Sequence, residues 1–298
     1  MPSRERSLRT EAVVLRQKDW GEADRLVFLY SREHGKLRAI VKGARRLKSR
    51  KAGHLQLLSQ VSLLLAYGRD LWIVTQVETI NPFLPIKADL VKTGYASYVI
   101  ELLDRFTPEE GSNYQLYKLL IETFGRINQE DDAFLSVRYY EIRLLDLLGF
   151  RPELFSCVSC EAEIQPEDQY FSFLIGGVVC PRCGAHTQPV KPISMEALRY
   201  LRHFQRSNYN AALKAHPTPQ VKEEMEQAKA DYEKAERQGR PYALIGIAGG
   251  DAEPGVTDAA AVPPAISGAR RRPMRSPRRT GRHQTKPRPD LNGRRNAC

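Results

Sequence analysis

The residues with the most definite chemistry are four cysteines, which form two Cys-x-x-Cys pairs. One pair is Cys157 and Cys160, the other is Cys180 and Cys183, and nineteen residues separate them. Each pair presents two thiolates from one backbone turn, and two such turns suit one tetrahedral zinc ion. Zinc held by four thiolates has no open position for water or substrate. The pattern therefore predicts a structural Zn²⁺ ion rather than metal catalysis.

A histidine ligand, an iron–sulfur cluster, a redox-active pair or disulfides would each fit the cysteine pattern less well than a four-cysteine zinc site. His186 lies three residues after Cys183, but four cysteines already complete a tetrahedral site, so we interpret His186 as a surface histidine. Iron–sulfur clusters and redox-active Cys-x-x-Cys motifs match the two-pair spacing poorly. Five cysteines, four of them in close pairs, suit a reducing compartment better than a disulfide scaffold.

Motifs for enzymatic catalysis are missing from the sequence. It contains no Walker-type phosphate loop, no HExxH motif and no nucleophile elbow. The acidic pair at 131–132 stands where a helix N-terminus favours negative charge. The acidic pair at 109–110 falls in a predicted interhelical loop, where we expect solvated charge. We therefore predict that the protein is not an enzyme, and the distribution of charge becomes the guide to function.

The net charge of +11 is unevenly distributed over the 298 residues. Residues 1–51 hold fifteen Lys and Arg against six Asp and Glu, and residues 270–298 hold eleven against one. Two basic ends around an acidic middle favour a polyanionic partner such as a nucleic acid. Because no signal peptide and no run of membrane-span length is visible, we expect a cytoplasmic protein without a membrane partner.

The first eighty residues predict a small closed barrel of five strands. Gly, Asp and Asn turn signals separate the strands, which are Thr10–Arg16, Arg25–Ser31, Lys36–Lys42, Leu58–Tyr67 and Leu71–Glu78. Of the rings in this region, we expect Tyr30 in the core. We expect Trp20 to be exposed in a loop, where it can stack on a base.

Positive side chains gather on the third predicted strand and on the loop after it. Alternation places one set of residues outward, Lys36, Arg38, Ile40 and Lys42, and the set between them toward the core. The loop has too few apolar residues for a core element and carries five cations, Arg45, Arg46, Lys48, Arg50 and Lys51. A cationic strand that leads into a cationic loop on a small barrel is typical of nucleic-acid binding. We therefore predict DNA contacts from all eight Lys and Arg residues.

Beyond residue 80 the apolar period changes to that of helices. Predicted helices cover residues 91–106, Tyr114–Ile127, Asp132–Leu148, Ser194–Gln205 and Gln220–Gln238, and Gly149 ends the third of them. The cysteine module interrupts this helical centre at about 154–187. Residues 239–298 have little to bury, which predicts a disordered, Arg- and Pro-rich tail. The fold class is thus α+β, with domains at 1–80, 81–238 and 239–298.

Four segments in this order resemble the RecO family of bacterial recombination mediators. They are residues 10–31, Gly35 to Arg50, Leu144 to Pro152, and the paired cysteines. The resemblance covers about residues 8–227. It implies an N-terminal OB-fold, a central helical domain and an inserted zinc module with four cysteine ligands. It also implies a DNA-binding face that maps onto Arg38, Lys42, Arg45, Arg46, Lys48 and Arg50.

The same resemblance implies a function and partners. These are binding of single- and double-stranded DNA, annealing of complementary strands, and, with RecR, help in loading the RecA recombinase on single strands. Contact with the single-stranded-DNA-binding protein and association with the nucleoid are implied as well. The C-terminal part departs from the family, and either a lineage-specific tail or a shifted reading frame accounts for it. Two other functions stay open: an RNA-binding OB-fold and zinc-ribbon module, and a metal-dependent nuclease.

Overall fold

The computed structural model describes residues 7–109, 111–172, 175–187 and 189–224 of the chain. The predicted helix Gln220–Gln238 lies within these ranges only as far as residue 224, and residues 219–224 are helical. The predicted tail at 239–298 lies outside the described residues. Within those residues, every helix is too short or too polar to traverse a lipid bilayer.

The N-terminal part of the described chain is a closed barrel of five strands. The strands are β1 Ser7–Trp20, β2 Asp24–Ser31, β3 Gly35–Val41, β4 Gln60–Tyr67 and β5 Trp72–Asn81. They close in the order β1-β2-β3-β5-β4, with β3 and β5 parallel and the other neighbours antiparallel. A five-stranded barrel with this order is an OB-fold, so the predicted fold class is confirmed.

Alternation along the strands fills the barrel with branched side chains. Val14, Val27, Val41 and Leu63 are buried in this interior. The register of β1 against β2 shifts between Val14 and Arg16, which marks a β-bulge. The bulge lets β1 bury consecutive residues and then continue beyond its predicted end as far as the turn that precedes β2.

Helices pack against one side of the barrel. They are α2 Leu84–Ala88, α3 Leu90–Phe106, α4 Tyr114–Gln129 and α5 Phe134–Leu148, and a short α1, Arg50–His54, precedes β4. The Asp89 carboxylate accepts a hydrogen bond from Val91 N (2.8 Å) and caps α3. Asp132 accepts one from Phe134 N (2.9 Å) at the start of α5. Gly149, with φ of 82°, ends α5 as predicted.

The outer face of the barrel and the helices share a second core, separate from the barrel interior. Val13, Leu15 and Tyr30 point out of the barrel and belong to the same buried cluster as the helical residues. The β2–β3 turn closes the contact, because a Cβ on Gly35 would lie only 2.0 Å from the Gly111 carbonyl oxygen. Gly35 also has φ of 63°, so glycine is required there twice over. This contact fixes the start of β3 beside the loop that follows α3.

The cysteine module is a three-stranded sheet with short helices. The strands are β6 Gln169–Ser172, β7 Gly177–Val179 and β8 Lys191–Ile193, in the order β7-β6-β8. The helices are α6 Pro181–Gly184, α7 Met195–Arg206 and α8 Tyr209–Ala212. Of the strand predicted over Gln169–Ile175, Gln169–Ser172 form β6 and Ile175 lies in a turn. β8 was not predicted, because three residues give no readable period. Buried residues of the module join the helical core.

Candidate nucleic-acid interface and metal centre

The four cysteines converge on one point. Their Sγ atoms all lie within 4.8 Å of one another, and Cys160 Sγ is 3.8 Å from Cys180 Sγ. Metal–sulfur bonds of about 2.3 Å in a tetrahedron place the sulfurs about 3.8 Å apart. Among the described residues this group contains no histidine, so His186 stays outside it. The donor set and its spacing could hold one metal ion.

The electrostatics of the cluster also suit a cation. Burial disfavours the thiolate of Cys157, but backbone N–H groups of Cys180, Cys160 and Ser159 outweigh burial and lower its pKa to about 6. The contact with the Cys180 sulfur raises the pKa of Cys183 to about 12. The Cys157 sulfur is thus readily deprotonated, whereas deprotonation of Cys183 in the same cluster is disfavoured. A bound cation would relieve that repulsion and stabilise all four thiolates.

Two of the eight predicted DNA contacts are engaged inside the fold. Lys36 Nζ lies 3.1 Å from Asp104 Oδ1 and 3.7 Å from Glu109 Oε1, and its side chain is only 11% exposed. Lys51 Nζ donates to the Val74 carbonyl oxygen at 2.8 Å. Both lysines hold neighbouring elements against the barrel. They are therefore less available to a ligand than the other six cations.

Arg38 on β3 and Lys42, which directly follows β3, are exposed but paired. Arg38 points outward as predicted and forms an ion pair with Glu109. Glu109 was expected only as solvated charge; it is exposed, and it also neutralises this cation. Lys42 Nζ lies 2.6 Å from Asp24 Oδ2. The hydrogen bonds that Asp24 accepts from Lys42 and from Gly43 N lower the pKa of its carboxyl.

The loop after β3 presents its cations to solvent. Two successive turns shape it, closed by hydrogen bonds from Arg46 N to Gly43 O (3.1 Å) and from Ser49 N to Arg46 O (2.9 Å). Arg45 folds back, and its Nε lies 3.4 Å from Asp19 Oδ2. The side chains of Arg46, Lys48 and Arg50 are exposed, and within the described part of the chain they have no ion pair or hydrogen bond; the Arg46 charge helps to lower the pKa of Asp24. Arg50 and Lys51, predicted in the loop, begin α1. We call Arg45, Arg46, Lys48 and the adjoining Arg50 the cationic loop.

The aromatic rings of the barrel divide as predicted. Tyr30 is buried, and burial raises its pKa to about 12. Trp20 is 44% exposed, although it is the last residue of β1 rather than part of a loop. Trp72 packs edge-on against Tyr67, with ring centroids 5.0 Å apart. Trp20 is thus the more accessible of the two indoles.

A row of cationic and aromatic side chains on the outer face of the barrel was not predicted from the sequence. Arg16 lies opposite Phe28 in the β1–β2 register, and Phe28 lies opposite Arg38 in the β2–β3 register. Lys18 and Trp20 follow on the same face of β1 and are exposed. The pairing of strands aligns these residues. Arg16 and Lys18 were visible in the sequence, but nothing in it showed that they share a face with Arg38.

Comparison with known proteins agrees with this architecture. The family model for the N-terminal part of recombination protein O matches residues 6–83, and the model for its C-terminal part matches residues 87–234. The DNA repair protein RecO of Roseiflexus sp. (strain RS-1) is 40% identical over 202 residues, which cover 68% of this chain and 71% of the relative.

Further relatives with the same name have similar sequence identity to this chain. The DNA repair protein RecO of Dehalococcoides mccartyi is 36% identical over 200 residues, covering 67% of this chain and 79% of the relative. That of Bacillus pumilus (strain SAFR-032) is 33% identical over 226 residues, covering 76% and 87%. The matched region spans the barrel, the helices and the cysteine module described above.

Proposed function

The chain belongs to the RecO family of DNA repair proteins, and from this premise we propose that it binds single- and double-stranded DNA through its barrel and anneals complementary strands. The observation that carries the proposal is the cationic loop, in which three of four exposed cations form no ion pair or hydrogen bond within the described residues. Lys and Arg side chains displace condensed counterions from phosphates, which makes such binding favourable and sensitive to salt.

On this proposal the contact surface comprises the cationic loop and the adjoining outward cations. The core set is Arg45, Arg46, Lys48 and Arg50, flanked by Arg38 and Lys42. The predicted set also included Lys36 and Lys51. Their Nζ atoms pair with Asp104 and donate to Val74 O, so on this proposal they add to the positive electrostatic potential without contacting DNA directly. We assign DNA binding to residues 1–80 and a supporting role to residues 81–238.

Annealing of two strands requires no covalent bond to be made or broken. Two DNA strands repel each other through their phosphates, and cations that contact both lower that repulsion. Bases of the two strands then meet at high local concentration and pair. We therefore propose a non-enzymatic mediator, which acts with RecR to help load RecA, contacts the single-stranded-DNA-binding protein, and works at the nucleoid.

We propose that the metal ion held by the four cysteines is zinc. Thiolates are soft ligands that select zinc, and four of them close its coordination. The ion would contribute rigidity and no reaction step. Cys157 and Cys180 are buried in the core shared with the helices, so the ion would fix the two Cys-x-x-Cys turns against the helical part of the chain.

The proposal is tested by titrating a fluorescent single strand with the full chain at several salt concentrations, and by following the annealing of two complementary strands. We expect affinity that falls steeply with salt and annealing faster than without protein. An RNA strand of the same sequence serves as competitor. Failure to bind DNA at low salt contradicts the proposal, and tighter binding of the RNA would favour the RNA-binding alternative. Loss of intact DNA in Mg²⁺, tracking the purified chain, would indicate a nuclease.

A further inference from the structure

The outer face of the barrel holds one aromatic ring between two guanidinium groups. The Arg16 guanidinium lies 4.1 Å from the centroid of the Phe28 ring, and that of Arg38 lies 5.9 Å from it. Both contacts come from residues directly opposite Phe28 on the neighbouring strands. The two arginines therefore flank the ring from either side on one surface.

The position of Phe28 separates it from the packing core. Tyr30, two residues along β2, points to the same face but is buried beneath the helices. Phe28 is one step beyond that covered zone and is partly exposed. Farther along the same face, Trp20 lies opposite Asp24 at the far end of β2, about 13 Å from the Phe28 row along the strand at 3.3 Å per residue. A strip with an accessible ring at each end, and the buried Leu26 between them, thus runs toward the cationic loop.

The two arginines hold the ring unequally. Arg16 is at contact distance, whereas Arg38 stands farther away and pairs with Glu109. When Arg38 turns to a phosphate, the ring face on its side becomes free for a planar group. The arrangement combines cations for the DNA backbone with a π-surface for a base, which are the two elements of single-strand binding.

We propose that Phe28, supported by Arg16, is a stacking position for one base of a single DNA strand. This inference rests on the proposed function and adds a strand preference to it. Bases in a duplex are already stacked and paired, so they are closed to Phe28. The cations of the cationic loop serve both forms of DNA, while Phe28 serves single strands alone.

Replacement of Phe28 by leucine tests the proposal in the full chain, because leucine keeps apolar volume and removes the ring. We expect F28L to bind an oligo-dT strand about 5- to 10-fold more weakly, the lower part of the range for loss of one stacked base. Its affinity for a duplex, and for an abasic strand of equal length, should equal that of the parent chain. Tyr67→Leu is the matched control, since Tyr67 packs on Trp72 and lies outside the strip.

A second variant keeps the proposal testable if F28L folds poorly. F28W retains a ring, so it should bind oligo-dT at least as tightly as the parent, and its added indole emission should be quenched by oligo-dT but not by the abasic strand. Equal quenching by both strands overturns the stacking position. So does an F28L variant that keeps the parent ratio of oligo-dT to abasic affinity. Either result leaves DNA binding through the cationic loop intact, and that function is tested separately by its salt dependence.

Discussion

Replacing all four residues of the cationic loop, Arg45, Arg46, Lys48 and Arg50, by Ala removes its positive charge. The structure allows the resulting change in the salt dependence of DNA binding to be estimated. Three of these cations form no ion pair or hydrogen bond within the described residues, and each phosphate contact to a single strand contributes about −0.7 to the slope of log affinity against log salt. We therefore expect a slope less negative by about 2. The change reaches about 3 if Arg45 leaves Asp19 to meet a phosphate.

Measuring affinity at several salt concentrations tests the number of lost phosphate contacts, which an affinity at one salt concentration does not. A slope difference of about 2 means that the affinity ratio of parent to variant shrinks about 15-fold between 50 and 200 mM salt. Fluorescence anisotropy of a labelled strand measures it. Because all four side chains are exposed, the thermal midpoint should move little. The same experiment on chains shortened to residues 1–238 removes any contribution of the basic tail.

A matched control separates a specific surface from total charge. Lys92, Arg105, Lys118 and Lys214 lie outside the barrel, and their replacement by Ala lowers the net charge by the same four units. We expect this control to shift the slope by less than half as much as the loop variant. If the two quadruple variants have equal slopes, or if the loop variant binds as the parent does, the cationic loop is the wrong surface.

Two further predictions concern the groups around the interface. Glu109→Gln should raise single-strand affinity up to about fivefold at low salt, because Glu109 pairs with Arg38 and its charge, at about 4 Å from a bound phosphate, would repel it by about 1 kcal/mol in water; unchanged or weaker binding in the anisotropy assay contradicts this role. Cys157→Ser, or chelation of the parent, should release the metal ion and expose the cysteine module to limited proteolysis, while strand affinity stays within about twofold because the barrel has its own core. Proteolysis that begins in the barrel would refute the second expectation.

Much of the barrel could be predicted from local patterns. The turn signals and β-branched runs placed five strands, and alternation placed Arg38 and Lys42 outward and Val41 inward. The extension of β1 could not be predicted, because a bulge after Val14 depends on its partner strand. Gly149 ended α5 as predicted, since a glycine before a proline is a local signal.

The candidate interface was predicted only in outline. Which cations are available depends on residues distant in sequence: Lys36 meets Asp104, and Lys51 meets Val74 O. No local rule gives such contacts, because folding of the helices onto the barrel creates them. Phe28 was missed for the same reason, since its flanking arginines come from two other strands.

The central claim, that the barrel and its cationic loop form the DNA-binding surface, is tested most directly by photochemical crosslinking. A single strand carrying 4-thiothymine is irradiated with the full chain, and the adducts are located by peptide mass spectrometry. We predict adducts in the segments that contain Phe28, Arg38 and the cationic loop, with those of the loop lost in its quadruple variant. Adducts confined to the helices or the cysteine module would contradict the claim.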